Sequence, residues 1–398
     1  MLNWKTLMGW RKEKPSAKDL AWVQGGRPMG ASRTYTRLAE EGYERNVIVY
    51  RCINLIAKNL AMPPWILYEG DREVERHVLA DLIENPNPLQ TRTTFLESLA
   101  SYLLLDGNVY VQAVGEEGVP RELFLLRPDR VQIMAGDGTL PRGYVYQVEG
   151  KKSYYPVDPE TGACAILHLK LFHPSNDWYG LSPIQAAAAA IDQHNAVGSH
   201  NLSLLRNGGR PSGALVMPGH EGLTDEQRMQ LKETVRNLYQ GSENSGQILV
   251  LEGGMKWCEM GLTPKDLDFM AGKHISTREI AQAFGVPSML VGVPGDSTFS
   301  NYREARFHLW EDTVLPLLHM VMEEMNRWIV PAYGEQLAFA YDADQIPALG
   351  CRRERLWNRI QDATFLTVNE KRSALGYSPL LDGNNLENIE RKHNDSTR

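Results

Sequence analysis

The segment V-G-V-P-G-D-S-T-F-S-N, residues 291–301, has the residue types of a phosphate-binding loop. Gly292 and Gly295 allow a tight backbone path, and the hydroxyl-rich stretch leads into residues with a helical pattern. Backbone N–H groups at the start of a helix bind phosphates readily. The segment therefore raises the question of whether it holds a nucleotide or contacts phosphates of another kind.

A nucleotide-hydrolysing P-loop needs the pattern G-x-x-x-x-G-K-[ST], in which backbone amides and a lysine surround the phosphates. The Gly-Lys pairs of this chain are Gly150-Lys151 and Gly272-Lys273, and neither has a glycine five positions earlier or a hydroxyl residue next. We therefore expect that the chain does not hydrolyse ATP and that any mechanical work comes from a partner protein.

Hydrolase and metal signals are also weak. The stretch G-R-P-S-G puts Ser212 at the wrong spacing for a G-x-S-x-G elbow. His168 and His173, like His194 and His200, are five and six positions apart, whereas a helical metal pair is separated by four. Isolated histidines are the favoured interpretation, and no metal, cofactor or catalytic residue is predicted.

Cysteines and paired carboxylates add no site. The cysteines lie far apart and form no C-x-x-C pair, so they indicate neither zinc nor disulfides; they are Cys52, Cys164, Cys258 and Cys351. The adjacent carboxylates cannot share one helical face and are interpreted as surface charge; they are Glu40-Glu41, Glu116-Glu117 and Glu323-Glu324.

Composition is that of a folded protein of several domains. The chain has 398 residues, of which 42% are hydrophobic and 23% charged. No apolar run approaches the roughly 20 residues of a membrane span, and the N-terminus is too quickly charged for a signal peptide. The net charge of −7 argues against tight nonspecific wrapping of DNA, although it allows a surface past which DNA slides.

The first half of the chain predicts a loose arm followed by helices and a sheet. Residues 1–40 lack a sustained apolar period, so order is expected from Asn46. A helix then places Val47 and Tyr50 at helical spacing and ends at Pro63-Pro64. A hairpin at Gly70-Asp71, a helix after N-P-N-P, and one half-buried sheet extending to about residue 170 are expected next.

The second half predicts two long helices separated by a strand–helix–strand unit. The first is expected to begin at Ser182 and to stop at Asn207, and, if continuous, it spans roughly 37 Å. The second is expected to end at Gly285. The strands of the inserted unit are A-L-V-M-P-G and Q-I-L-V-L-E. Asn301 is the expected N-cap of a third helix, which Pro316 should kink near residues 312–316.

Seven short motifs carry a family resemblance in this order: H-V-L-A-D-L-I-E-N-P-N-P, L-L-L-D-G-N-V-Y-V, Y-G-L-S-P-I, N-G-G-R-P-S-G, E-I-A-Q-A-F-G-V-P-S-M-L-V-G, S-N-Y-R-E-A and T-V-L-P. Together they resemble the HK97-type portal proteins of tailed bacteriophages over residues 45–380. Each motif alone is weak, but their shared order is specific.

The resemblance implies an α+β portal fold assembled as a ring, with a mixed wing, a two-helix stem, a small clip, a kinked tunnel helix and a helical crown. The implied segments are a flexible arm at 1–40, wing at 41–181 and 313–350, stem helices at 182–207 and 264–285, clip at 208–263, tunnel loop and helix at 286–312, and crown with tail at 351–398. In the crown, Asn369 is the expected cap and Gly376 the expected stop.

The resemblance also implies function and partners. Portal proteins form a dodecamer at one capsid vertex, through which the large terminase drives double-stranded DNA. Other implied partners are the head-tail connector, the major capsid protein and the scaffolding protein, with no membrane. The expected location is the virion, after synthesis in the host cytoplasm.

The opening segment then becomes a candidate DNA-contacting loop. Neutral donors position a phosphate backbone without reading its sequence, whereas strong cationic contacts would slow sliding. The candidate residues are Gly292, Gly295, Ser297, Thr298, Ser300 and Asn301. The cations expected near DNA or subunit contacts are Lys273, Arg278, Arg303 and Arg306. The alternatives are an ordinary solvent loop and solvated helix faces.

Two other functions stay open from the residues themselves. A scaffold or adaptor protein would not form closed rings. A hydrolase or nuclease would show metal-dependent turnover.

Overall fold

The structure is a computed structural model that describes residues 35–384 with internal gaps. The longer gaps are 207–212, 217–223, 234–255, 260–268, 294–298 and 376–379, and the shorter ones are 117, 137, 139, 225, 227–228, 231–232, 335 and 382. None of the helices in this part of the chain combines the length and the apolar character of a membrane span.

Helices and strands mix along the whole described chain. The helices are α1 Val47–Ala61, α2 Val78–Glu84, α3 Arg92–Asp106, α4 Pro183–Ala186, α5 Ala188–Arg206, α6 Phe269–Ala283, α7 Phe299–His308, α8 Leu315–Ile329, α9 Gly350–Gln361 and α10 Val368–Ala374. The strands are β1 Trp65–Glu69, β2 Arg72–Glu73, β3 Asn108–Glu116, β4 Val119–Leu126, β5 Val131–Met134, β6 Gly143–Val148, β7 Lys151–Pro156, β8 Ile166–Lys170, β9 Gly213–Val216, β10 Lys256–Glu259 and β11 Leu337–Tyr341.

Helix α1 lies at the centre of the main hydrophobic core and packs along α3. Its buried side chains recur at helical spacing; they are Ile48, Val49, Cys52, Ile53, Ile56, Ala57, Leu60 and Ala61. Each fully buried large aliphatic side chain contributes roughly 1.5–3 kcal/mol. The predicted helix is confirmed, but its predicted face was wrong in part, because Val47 and Tyr50 are 66% and 51% exposed.

Order begins earlier than predicted. Tyr35–Arg37 form an α-helical turn that continues into a π-helical segment, Leu38–Glu44, packed against α1. Leu38 is only 1% exposed, so burial of this side chain stabilises a segment whose sequence lacks a sustained apolar period. The expectation of a flexible arm therefore fails for 35–40, and its remainder, 1–34, lies outside the described residues.

The predicted single sheet is two sheets. Strands β4-β3-β8 form one antiparallel sheet and β5-β6-β7 another. The alternation predicted for β3 is correct, since Val109 and Val111 enter the main core. The half-buried character was wrong, because Tyr110 on the opposite face is also fully buried, in a second core shared with Tyr144 of the other sheet.

A third sheet joins distant parts of the chain. Strand β1 pairs with β2 across the predicted Gly70-Asp71 turn, and its other edge pairs antiparallel with β11, Trp65 opposite Tyr341. This pairing brings residues 65–73 together with residues 337–341. The sequence predicted the hairpin of β1 and β2, but it predicted neither β11 nor its pairing with β1.

The first long helix is interrupted. Ser182 caps α4 by accepting a hydrogen bond from the Gln185 amide, as predicted. Ala187 then leaves the helical conformation before α5 begins at Ala188, so the predicted helix is not continuous. Helix α5 packs against α6, and its predicted stop at Asn207 lies outside the described residues.

Between α5 and α6, β9 pairs antiparallel with β10. Strand β9 overlaps the predicted A-L-V-M-P-G strand, and β10, Lys256–Glu259, was not predicted. The other predicted strand, Q-I-L-V-L-E, lies outside the described residues.

The third long helix changes its hydrogen-bond pattern in the middle. Helix α7 passes into a π-helical segment, Leu309–Val314, and then into α8, whose second residue is Pro316. A π turn is a known way to bend a helix, and proline at a helix start needs no N–H partner. The change begins before the predicted interval of 312–316. Asn301 is not the cap, because α7 already begins at Phe299.

The C-terminal helix is capped by a residue other than the predicted one. Thr367 accepts a hydrogen bond from the Glu370 amide, and the Glu370 carboxylate accepts one from the Thr367 amide, forming a capping box before α10. Asn369 lies inside the helix and binds the backbone of Leu380 instead. Gly376, the expected stop, lies outside the described residues.

Candidate DNA-channel segment and its supporting junction

The two chain segments that flank the candidate loop are joined by one hydrogen bond. The Thr313 hydroxyl donates to the Gly285 carbonyl over 2.7 Å. Gly285 has φ +66, and a Cβ built there would lie 2.5 Å from the Thr313 hydroxyl oxygen. Glycine is thus required both by the backbone conformation and by the close approach. This contact ties the end of α6 to the π-helical segment.

The first part of the loop is ordered against the core. Ser288–Val291 form a 3-10 turn in which Leu290 is buried. Gly292 follows with φ +87, a left-handed conformation that favours glycine, and a Cβ there would meet nothing within 4 Å. The chain therefore turns at Gly292 in open space, as a projecting loop requires.

The predicted loop residues are only partly placed. Gly295, Ser297 and Thr298 lie outside the described residues. Ser300 and Asn301 belong to the first turn of α7 rather than to the loop, and Asn301 is exposed. The proposed row of neutral donors therefore stays a prediction, with two of its members moved onto a helix.

The four predicted cations lie on two helices and differ in exposure. Arg303 and Arg306 are exposed one turn apart on α7, and Arg278 is exposed on α6. Lys273 is only partly exposed, and its charge acts on His194 of α5, so it lies towards the α5–α6 contact. Lys273 is therefore placed differently from the three arginines.

A polar cluster that sequence reasoning missed holds α5 to α1. The buried Asn46 amide nitrogen donates to the Asn195 carbonyl oxygen at 3.0 Å and lies 3.3 Å from His194 Nδ1. Its carbonyl oxygen also caps α1 by accepting from the Ile48 and Val49 amides. Burial, and then the Lys273 charge, lower the pKa of His194. A neutral ring can accept at Nδ1, which suits the Asn46 donor.

Two of the seven motifs meet at a second junction. In D-G-N, Gly107 has φ +83, and a Cβ there would lie 2.8 Å from the Gly180 backbone of Y-G-L-S-P-I. The Asn108 carbonyl oxygen accepts from the Gly180 amide at 2.7 Å and lies 3.1 Å from His168 Nε2. The motif glycines were the available signal for this contact, since close backbone packing excludes a side chain.

His168 is held neutral at this junction. Its ring stacks on Tyr110 with 4.5 Å between centroids. Burial, assisted by the Lys170 charge, lowers the pKa of His168 to about 3. The uncharged ring donates from Nε2 to Asn108, so this histidine stabilises structure rather than transferring protons.

The N-P-N-P motif covers the free edge of β4. The Leu123 amide donates to the Pro86 carbonyl at 2.6 Å, and the Asn87 side chain donates to the Leu123 carbonyl at 2.8 Å. Exposed strand edges invite pairing with other chains. The motif therefore has a structural role at this edge.

Chemistry other than binding has little support in the described residues. They contain no group of three or more potential metal ligands. Burial raises the pKa of the Cys52 and Cys164 thiols to about 12 each, so both stay protonated and unreactive.

The chain matches the model of the phage portal protein family over residues 47–376, and it therefore belongs to that family. Within the family it is an HK97-type portal protein, as the motif order predicted. Portal proteins are structural rather than enzymatic proteins.

Two relatives illustrate the similarity. An uncharacterized protein of Rickettsia bellii is 41% identical over 88% of this chain and 91% of its own length. The portal protein of Enterobacteria phage HK97 is 25% identical over 84% of this chain and 79% of its own length.

Solved structures confirm the α+β portal fold. A chain from the neck of an empty gene transfer agent (GTA) particle, computed with C6 symmetry, is 40% identical with a TM-score of 0.71, covering 92% of this chain and all of that one. The neck of the native GTA particle, computed with C12 symmetry, matches with the same identity and coverage and a TM-score of 0.68. The HK97 family phage portal protein of Corynebacterium diphtheriae, 16% identical over 78% of this chain and 97% of its own length with a TM-score of 0.55, supports the fold alone.

Proposed function

We propose that twelve copies of this chain form a closed portal ring in the neck of a GTA-like particle. The observation that carries this proposal is the 40% identity to the GTA neck chain, whose whole length is covered, together with the C12 symmetry of the native neck. The HK97 portal protein is covered over only 79% of its length. The particle proposed is therefore closer to a GTA than to phage HK97.

In this ring, double-stranded DNA passes through the centre during packaging and release. The loop around residues 292–298 and the start of α7 face the DNA, and Arg303 and Arg306 lie next to it. The support is physical: a turn at Gly292 in open space, anchored by the Gly285–Thr313 hydrogen bond, followed by exposed polar and cationic residues. Contacts of this type hold a phosphate backbone without sequence preference.

The division of the chain into wing, stem, clip and crown is part of the same proposal. The clip at 208–263 contacts the terminase and later the head-tail connector, and the wing contacts the capsid and scaffolding proteins. A large terminase supplies the work, because the chain lacks a P-loop. The protein is made in the cytoplasm and functions at the portal vertex of the virion.

Native mass spectrometry, with negative-stain images viewed down the symmetry axis, tests the ring. We expect closed particles of about twelve copies with a central hole that admits duplex DNA. A persistent monomer or dimer at high protein concentration, also in the presence of capsid and scaffolding proteins, would contradict the proposal. It would favour an adaptor protein instead.

A further inference from the structure

The charge of this chain is divided unequally along the sequence. Residues 1–34 hold seven basic residues, Lys5, Arg11, Lys12, Lys14, Lys18, Arg27 and Arg33, and two acidic residues, Glu13 and Asp19. Their net charge is +5, which leaves 35 basic and 47 acidic residues in 35–398, a net charge of −12. A basic segment that also carries Trp4, Trp10 and Trp22 is thus attached to an acidic body.

The body has a groove that suits such a segment. It lies between α2 and the hairpin of β3 and β4, with a volume of about 720 Å³, and is lined by Val78, Asp81, Leu82, Asn85, Glu116, Val119, Pro120 and Arg121. A second cavity of about 400 Å³, around the N-P-N-P loop, shares Asn85 and Arg121 with it. The two cavities adjoin at these shared residues, and each has a volume typical of ligand sites; together they are called the depression below.

Exposed apolar side chains concentrate at this depression. Val78 is 64% exposed, Val119 36% and Leu89, in the adjoining cavity, 87%. Leu82 and Pro120 form a buried floor beneath them. Apolar side chains gathered in a concave site mark a binding surface more often than scattered ones do.

The rim of the depression carries acidic groups available for pairing. Asp81 and Glu116 are exposed, and neither makes an ion pair with any other residue that the structure describes. Glu122 adds a third carboxylate, against the single cation Arg121. By contrast, the 520 Å³ cavity beside α5 has Arg37 and Arg45 at its rim, and Glu41 there already pairs with Arg37. Charge therefore favours the α2–hairpin groove for a basic segment.

We propose that the N-terminal segment, residues 1–34, binds in the groove between α2 and the β3–β4 hairpin. Trp4 and Trp10 cover the exposed apolar side chains, and Arg11, Lys12 and Lys14 pair with Asp81 and Glu116. Reach is not limiting, since 34 extended residues span at most about 110–120 Å. The segment can come from the same copy or from a neighbouring one, and the interaction holds whether or not the ring forms.

Photo-crosslinking in the full-length chain tests the contact. A photoreactive phenylalanine derivative replaces Val119, and mass spectrometry then identifies the crosslinked peptide. We expect peptides from residues 1–34, whether from the same copy or, in mixtures of isotope-labelled and unlabelled protein, from another. The matched control carries the same group at Leu140, an apolar residue that is 45% exposed and does not line the groove. It should give no such crosslink.

Charge reversal in the segment tests the electrostatic part without altering the described body. Arg11→Glu, Lys12→Glu and Lys14→Glu together should lower the crosslink yield at Val119 about tenfold, the effect of roughly 1.4 kcal/mol. Adding Asp81→Lys and Glu116→Lys should restore it. Glu149→Lys with Glu160→Lys, two exposed carboxylates outside the groove, serves as the control that should not restore it.

Three outcomes would overturn the proposal. The crosslinks from Val119 could join only segments other than 1–34, which would make the groove a contact for another part of a second copy. The crosslink yield at Val119 could stay the same after the charge reversals. Alternatively, groove crosslinks could be absent while deletion of 1–34 abolishes salt-sensitive binding of duplex DNA, which would make the segment a nucleic-acid tether.

Discussion

The side chain of Asn46 joins α1 to α5. Its oxygen caps α1, and its nitrogen reaches Asn195 and His194 on α5, all within a site where Asn46 is 1% exposed. Replacing a buried amide that makes all of its hydrogen bonds lowers the free energy of unfolding, because its partners are left unpaired. At the residue scale, this amide connects the central helix to the proposed stem.

Replacement of Asn46 by alanine should lower stability by about 2 kcal/mol, from the lost helix cap and the unpaired partners. The measurement is the thermal unfolding midpoint. Asn59→Ala is a matched control, because Asn59 lies on the same helix and its side chain donates to the Leu55 carbonyl one turn earlier. Equal unfolding midpoints for the two variants would show that Asn46 contributes no more to stability than Asn59 does.

The lowered pKa of His168 predicts how the stability of the folded protein changes with pH. Its folded pKa, about 3, lies below the ordinary value of 6.5. The unfolded chain therefore binds a proton first, and stability present above pH 6.5 is lost as the pH falls towards 3. At pH 4 the loss is at most about 3 kcal/mol, given 1.36 kcal/mol per unit.

Chemical denaturation at pH 7 and pH 4 checks this expectation. His168→Gln keeps an N–H for Asn108 but does not titrate, so its stability should fall less between the two pH values. His173→Gln, at a partly exposed position outside this junction, should behave as the unmodified protein does. A His168→Gln variant with the full acid sensitivity would contradict the assignment.

At the scale of elements, the tunnel segment is a loop with fixed ends. The Gly285–Thr313 hydrogen bond and the buried Leu290 hold its base, and the π-helical segment follows with Trp310 fully buried. This anchoring divides the loop into a base that is packed on the core and a tip that is not. Its base belongs to the fold, whereas residues beyond Gly292 can change without altering the core.

Deletion of residues 295–299 should therefore leave ring assembly intact and reduce packaged or retained DNA. Ring mass from native mass spectrometry and nuclease-protected DNA per particle are the two measurements. Unchanged DNA content with intact rings would show that the loop is an ordinary solvent loop. Loss of the rings would mean that the loop contributes to subunit contacts instead.

Element positions were largely predictable where local rules dominate. Ser182 and the Gly70-Asp71 turn act through hydrogen bonds and backbone angles of adjacent residues, and both predictions were confirmed. The errors arose where distant packing decided the outcome. Tyr110 is buried by a second sheet, and Leu38 is buried in the core beside α1, which no local pattern reports.

At the scale of the whole molecule, the chain belongs to a family of structural, non-enzymatic proteins. The described residues hold no metal-ligand cluster, and the sequence holds no P-loop. We expect the purified protein with magnesium and ATP to show no phosphate release above the buffer rate. Hydrolysis that persists through purification and disappears with the protein would revive the enzyme alternative.

The amino-acid sequence by itself determined the family, the fold class and the absence of a P-loop, because these depend on ordered motifs and on residue types at short spacing. Only the tertiary structure decided how the motifs meet: Gly107 against Gly180, N-P-N-P against the β4 edge, and Asn46 against α5. It also placed the Lys273 charge near His194, whereas the three arginines are exposed. Contacts between residues far apart in the chain depend on packing of the whole core, which local sequence periodicity does not encode.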